Sequence, residues 1–344
     1  MKQRTLGRTG IQASEIGLGT EHLPRDRQVM SEVLSAAVEA GISYMDLLYT
    51  DAEYWEAFGD LYRDLGDHLV AAVHWNPTDC HEGAINQRNF DSIQKRLSKE
   101  RIEVGMITMV DSKRDWEGWA QDAIARLQRY KEQGHIAAIG MSGHLPDVAR
   151  LAVESGQLDV LMFNLNMLDT GIAKVAGLVQ ACVDRGVGIV AMKAYHGGML
   201  LNVDGQPTGI TPAQCLSYVL SLPVATTVPG PRSLAELRAT LHYLEATPEE
   251  KAFTAVSENL RQILAGHCVF CFHCHPCPEN IEIAWLLLLE GFALDGATDN
   301  LRQQYASYKV KASACTECGI CLLRCPYSVD ILGKLRHAAE LFEA

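Results

Sequence analysis

Short apolar runs alternate with longer stretches of helical period along the first three-quarters of the chain. The runs lie at 16–19, 42–47, 69–75, 104–110, 136–141, 160–165, 187–192 and 225–228. Each is continuous rather than alternating, as a strand buried on both faces should be. Between them, 28–40, 55–65, 87–99, 116–132, 146–154, 172–185 and 212–221 carry apolar residues three and four apart, and 234–243 follows the eighth run. Such strands joined by amphipathic helices are parallel strands with crossovers, and eight units close into a (β/α)8 TIM barrel. The rival open sheet needs a Gly-rich dinucleotide turn after its first strand, and Gly17-Leu18-Gly19-Thr20 is not that turn. An N-terminal hairpin, turned by Gly7-Arg8-Thr9-Gly10, should precede the first strand. A helix at 248–264, ended by Gly266, delivers the chain to its tail.

The pattern breaks at 266, where two cysteine runs begin. One is Cys268-x2-Cys271-x2-Cys274-x2-Cys277-Pro278, the other Cys315-x2-Cys318-x2-Cys321-x3-Cys325-Pro326. The second has the bacterial ferredoxin spacing, and the first is one residue shorter before its Cys-Pro. Three cysteines of a run wrap one corner of a cubane, and the Cys-Pro of each run serves the other run's cluster. Two [4Fe-4S] clusters are therefore expected, one on Cys268, Cys271, Cys274 and Cys325, the other on Cys315, Cys318, Cys321 and Cys277. Zinc uses paired C-x2-C knuckles and has no need of a third cysteine three residues on. His273 and His275 read as hydrogen-bonding or exposed residues inside the first run. The domains read as 1–265, the barrel, and 266–344, a ferredoxin-like domain with a helix at 279–291 between its two cysteine runs. The apolar stretch 284–289 there packs the tail onto the barrel or forms a subunit interface, which leaves a homodimer open.

Hydrophobic residues make up 48% of 344, enough for a barrel core plus an appendage. No run approaches the ~20 apolar residues of a membrane span. A net charge of −12 argues against nucleic acid and anionic membrane surfaces as partners. Eleven cysteines without a secretory signal indicate a reducing, cytoplasmic compartment. Outside the runs, Cys182 and Cys215 fall in helical patterns and read as core, and Cys80 sits in a loop.

Barrel chemistry belongs at the C-terminal ends of the strands. Those ends offer Asp46 and Tyr49, His74, Thr108 and Asp111, Ser142 and His144, Asn164 and Asn166, then Lys193, Tyr195 and His196, and last Pro229-Gly230-Pro231-Arg232-Ser233. His74 stands out, because histidine has no packing reason to end an apolar strand at the mouth. Asp46 also reads as a buried ion-pair residue, with Lys193 as its partner. Pro229, Gly230, Arg232 and Ser233 at a helix start make a phosphate cradle of amides and a guanidinium.

The chain resembles the aldo-keto reductases, in particular the branch with a ferredoxin-like C-terminal domain. The resemblance rests on Leu6-Gly7-Arg8-Thr9-Gly10, Gly41 to Asp46, Ile139 to His144, Gly186 to Lys193, Val228-Pro229-Gly230 and both cysteine runs. It implies an enzyme, an oxidoreductase using NADP(H), with an Asp, Tyr, Lys, His tetrad. Asp46 matches the aspartate, but Asp51 stands at the tyrosine position, His74 at the lysine and Thr108 at the histidine. A reduced carbonyl needs an acid for its oxygen. Tyr49 with His74, or Tyr195 or His196 with Lys193, could rebuild one. Ser142 matches the carboxamide-holding serine, and Asn166, after strand six, is a further cofactor-binding candidate. The family's glutamine on strand six reads as Met162 and its stacking aromatic as Met192.

The leading expectation is an iron–sulfur oxidoreductase acting on a small molecule at the barrel mouth and exchanging electrons through the clusters, with ferredoxin or another electron-transfer protein as partner. The alternatives are a non-redox lyase or isomerase with structural clusters, and an electron-transfer subunit with an inactive barrel.

Overall fold

The computed structural model describes residues 1–48, 52–66, 68–75, 87–168, 173–293 and 296–343. By its contacts the chain forms two compact units, Met1–Phe253 and Thr254–Ala344.

In the first unit a hairpin, β1 (Gln3–Thr5) against β2 (Gln12–Ser14), precedes eight parallel strands. These are β3 (Leu18–Gly19), β4 (Tyr44–Leu47), β5 (Val70–Trp75), β6 (Ile102–Ile107), β7 (Ile136–Gly143), β8 (Val160–Asn164), β9 (Gly188–Met192) and, after a small hairpin of β10 (Asn202–Val203) and β11 (Gln206–Pro207), β12 (Thr226–Thr227). Neighbours pair in sequence order from β3 to β9, and β12 pairs β9. The ring closes through an Ile16–Thr227 bridge and the Gly17 and Gly19 amides, which donate to Thr227 and Pro229 carbonyls at 2.8 Å each. The expected (β/α)8 barrel is thus the observed fold.

The helices over the strands are α1 (Arg27–Glu39), α2 (Ala52–Leu65), α3 (Gln87–Leu97), α4 (Lys113–Glu117), α5 (Trp119–Glu132), α6 (Pro146–Glu154), α7 (Ala173–Arg185), α8 (Pro212–Ser221) and α9 (Leu234–Leu241). Their starts follow local chemistry. Asp26 caps α1 by accepting from the Gln28 and Val29 amides, and Thr211 and Gln214 form a capping box on α8 with Pro212 in its first turn. The single helix expected at 116–132 is two, because Gly118 leaves helical geometry between α4 and α5.

Successive strand residues face opposite sides. One set, including Met45, Ala71, Val73 and Ile107, packs under the helices. The other, including Tyr44, Ala72, Met106, Met162 and Val190, fills the barrel. The hairpin residue Leu6 is fully buried with this inner set. Its approach depends on two glycines: Gly7 has φ +55°, and a Cβ on Gly188 would lie 2.8 Å from the Leu6 carbonyl carbon. Gly188→Ala is expected to destabilise the barrel by roughly 1–3 kcal/mol through this overpacking. Urea denaturation should show a lower midpoint with an unchanged slope.

The second unit holds α10 (Thr254–Ile263), α11 (Ile283–Phe292), α12 (Asp299–Ser307), α13 (Ile320–Arg324) and α14 (Ile331–Phe342). The helix expected at 248–264 is shorter, since Thr247 and Glu250 cap each other's amides in a separate turn ahead of it. The apolar stretch at 284–289 lies in α11, which packs against α14 and α12 within this unit. Buried Glu290 at the end of α11 binds Lys334 at 2.9 Å and His337 at 2.8 Å on α14. Cys182 and Cys215 are buried, as expected of core residues. Among the described residues no helix is long and apolar enough to cross a membrane.

Candidate functional sites

The inward stripe of the barrel continues two residues beyond its hydrocarbon layer. Asp46 follows Tyr44, His74 follows Ala72, Thr108 follows Met106 and Ser142 follows Gly140 on the same faces. Three of these join in a line. His74 Nε2 lies 2.7 Å from Asp46 Oδ1, and His74 Nδ1 lies 2.7 Å from Thr108 Oγ1. An ionised carboxylate only accepts, so Nε2 donates to Asp46, while Nδ1 shares a hydrogen bond with the Thr108 hydroxyl. All three are under 9% exposed. Position 74 was legible from the sequence; that Thr108 completes it was not, although the three positions are those of missing or retained tetrad members. Beneath the line, burial raises the Tyr44 phenol, with Asp46 adding to the effect, and the Tyr44 hydroxyl has no hydrogen-bond partner among the described residues. Tyr49 lies outside the described residues, as does Cys80.

The ends of β6 and β7 are stitched together. Ser142 Oγ accepts from the Met109 amide at 3.2 Å, and the Ser142 carbonyl accepts from Val110 N at 3.1 Å. Met109, at φ +63°, is half exposed at the strand end. Asp111 brackets His144: its Oδ1 accepts from the His144 amide at 2.6 Å and its Oδ2 from Nδ1 at 2.9 Å. Sequence reading named both residues without pairing them, since they are 33 positions apart.

Past β8, Asn166 is fully buried and engaged. Its Nδ2 donates to the Lys193 carbonyl at 3.2 Å and lies 3.3 Å from His196 Nδ1, while its Oδ1 accepts from Leu168 N at 2.9 Å. Lys193 and His196 both take positive φ, at 57° and 50°, and the Lys193 side chain is exposed. The partner of the buried Asp46 carboxylate is His74 Nε2 rather than the expected Lys193. Tyr195 bonds Thr240 Oγ1 of α9 at 3.0 Å, and burial pushes its phenol well up. These contacts tie Tyr195 to the helix layer.

After β12, Ser233 caps α9 by accepting from Glu236 N at 3.2 Å, and Glu236 Oε2 accepts from Arg232 N at 2.7 Å. A carboxylate therefore sits where the phosphate cradle of Pro229, Gly230, Arg232 and Ser233 was expected.

In the second unit the eight cysteines of the runs surround two cavities. One is bordered by Cys268, Cys271, Cys274 and Cys325, the other by Cys277, Cys315, Cys318 and Cys321, with Cys274 touching both. All are free thiols. Among the described residues no three His, Cys, Asp or Glu side chains converge on a single metal-ion position. Burial pushes Cys268 up to about 11, with Cys271 and Cys325 adding to it, and Cys274 up to about 12, with Cys268, Cys271 and Cys321 adding to it. The Val329 amide points at Cys325 Sγ, 3.5 Å away. The two runs also repeat one backbone. Positive φ falls two residues after the first cysteine, at Phe270 (52°) and Glu317 (55°). It recurs one after the second, at Phe272 (58°) and Gly319 (74°), and three after the fourth, at Asn280 (58°) and Ser328 (53°). Five of these six carry side chains, a conformation that costs free energy and concentrates at functional sites. His275 Nε2 accepts from the Ala284 amide at 3.3 Å, and burial lowers its pKa. His273 is exposed.

The profile of the Aldo/keto reductase family matches residues 15–212. The uncharacterized oxidoreductase YqkF of Bacillus subtilis is 22% identical over 187 residues, 49% of this chain and 58% of that protein. The pyridoxal 4-dehydrogenase of Microbacterium luteolum is 25% identical over 58% of this chain and 72% of its own length. The NADH-specific methylglyoxal reductase of Escherichia coli is 23% identical over 58% and 69%. An aldo-keto reductase from Bacillus halodurans in its holo form superposes with a TM-score of 0.60 at 21% identity, over 76% of this chain and 96% of that one.

Proposed function

The chain belongs to the aldo/keto reductase family, and on that premise we propose that it is an iron–sulfur oxidoreductase that reduces a small carbonyl compound at its barrel mouth. The grouping of eight cysteines four and four around two cavities carries this reading. Thiolates crowded and buried in this way repel one another and are poorly solvated; a cationic iron core relieves both penalties, and so would suit these cavities. Cys268, Cys271, Cys274 and Cys325 would hold one [4Fe-4S] cluster, and Cys277, Cys315, Cys318 and Cys321 the other, making 266–344 a ferredoxin-like domain. When bound, such clusters supply one-electron transfer. Backbone amides aimed at sulfur, as at Cys325, would tune their potentials.

The nicotinamide site fits less well. Asn166 is engaged on both ends of its amide, and Glu236 occupies the helix start where a dinucleotide phosphate would need positive charge. The electrons are therefore assigned to a one-electron partner protein of ferredoxin type, in a reducing cytoplasm that keeps eight thiols available. The carbonyl class follows the named relatives, which act on pyridoxal and methylglyoxal.

The test is anaerobic purification, metal analysis and reductive titration. About eight irons per chain are expected, with a visible cluster band that dithionite bleaches and NADPH alone leaves intact. Stoichiometric zinc, or no metal, would overturn the cluster assignment; bleaching by NADPH would overturn the choice of electron source.

A further inference from the structure

His74 stands out in the sequence as an inward histidine at a strand end, but its two nitrogens are both committed. Nε2 is on Asp46 and Nδ1 on Thr108, and the side chain is 1% exposed. An imidazole has no third nitrogen with which to reach a substrate. His144 differs on each count. Asp111 holds its Nδ1 and its backbone amide, Nε2 has no partner among the described residues, and the side chain is 23% exposed.

The surroundings are built to hold this pair. Gly143 lies so close to the Asp111 segment that a Cβ there would meet the Val110 carbonyl at 2.8 Å. Ser142 fixes the same segment through the Met109 and Val110 amides. Met109 keeps a left-handed backbone beside it. A histidine held by Asp111 at both its backbone amide and its ring Nδ1, at the C-terminal end of β7, has its tautomer and orientation set and its Nε2 left unengaged among the described residues.

We propose that the His144–Asp111 pair is the proton donor of the barrel mouth, replacing the tyrosine that this chain lacks at position 51. This rests on the carbonyl chemistry proposed above. As the carbonyl carbon takes up two electrons from the one-electron donor protein and a proton from solvent, its oxygen becomes an alkoxide. His144, with Nδ1–H held by Asp111, first takes a proton from water on Nε2; that Nε2–H bond then breaks as an O–H bond forms, giving the alcohol and returning the ring with its Nε2 lone pair open. Asp111 and Gly143 act as positioning residues, and the Asp46–His74–Thr108 line supports the strand ends without touching substrate.

Two readouts test this on the anaerobically purified holoprotein. Diethylpyrocarbonate acylates imidazole nitrogens with an open lone pair, so near neutral pH peptide mass spectrometry should find His144 modified and His74 unmodified. Asp111→Asn should slow acylation of His144 severalfold, because the tautomer is no longer fixed. With dithionite-reduced protein and methylglyoxal as carbonyl probe, His144→Gln should lower turnover by roughly 10²–10⁴-fold while iron content and the visible band stay unchanged. Acylation at His74 instead of His144, or a His144→Gln variant as fast as the parent, would overturn the assignment. A parent protein that carries its iron but reduces no methylglyoxal would defeat the carbonyl reading and the donor role with it, whereas the acylation map would still decide whether the open nitrogen exists.

Discussion

Cys277→Ala is expected to unload the cluster of the second cysteine run, not that of its own. Iron should fall from about eight to about four per chain, and Cys325→Ala should remove the other four. The reason is geometric: Cys277 borders the cavity of Cys315, Cys318 and Cys321, while Cys325 borders that of Cys268 and Cys271. Single variants alone would not separate crossed from uncrossed ligation, because either loses half the iron. Double variants do so by their failure to add. If the sets are crossed, Cys277→Ala with Cys315→Ala loses no more iron than Cys277→Ala alone, and Cys277→Ala with Cys271→Ala loses nearly all. Uncrossed ligation reverses the two results. Because metal binding is coupled to folding, circular dichroism of the tail helices α11 and α14 should follow the iron content.

The barrel and its strand ends were legible because burial on both faces leaves an unmistakable pattern, and the topology follows from it. In the tail the spacing predicted which cysteines would group, and the structure divides them the same way around two cavities. What the sequence withheld was pairing across strands. Asp46, His74 and Thr108 were each named, yet only the stagger of parallel neighbours decides that an inward residue of one strand meets those on the next two. The Asp111–His144 contact is hidden for the same reason. The α9 cradle misled because a serine followed three residues later by a glutamate is both a helix start and a source of negative charge, and in this chain Glu236, held by the Arg232 amide, sets the electrostatics. The repeated positive-φ positions of the two runs were invisible too, since five of the six are not glycine.

His74→Ala carries the largest expected cost in the barrel, a loss of about 3–5 kcal/mol of unfolding free energy. Deleting the ring strands a carboxylate that is nearly buried, and the hydroxyl of Thr108 loses its partner as well. Against a total stability of roughly 5–15 kcal/mol, this would leave the barrel partly unfolded or close to it, so denaturation curves, not activity, are the first measurement. Thr108→Val should cost less, about 1–3 kcal/mol, because it leaves one ring nitrogen unsatisfied but keeps the hydrogen bond to Asp46. Removing both partners, with Asp46→Leu and His74→Leu together, should recover part of the loss seen in His74→Ala, since neither buried group is then orphaned. A His74→Ala protein within about 1 kcal/mol of the parent would mean that the line is not a structural brace. In that case His74 would return as a candidate for the chemistry itself, and His144 would lose the contrast on which its assignment depends.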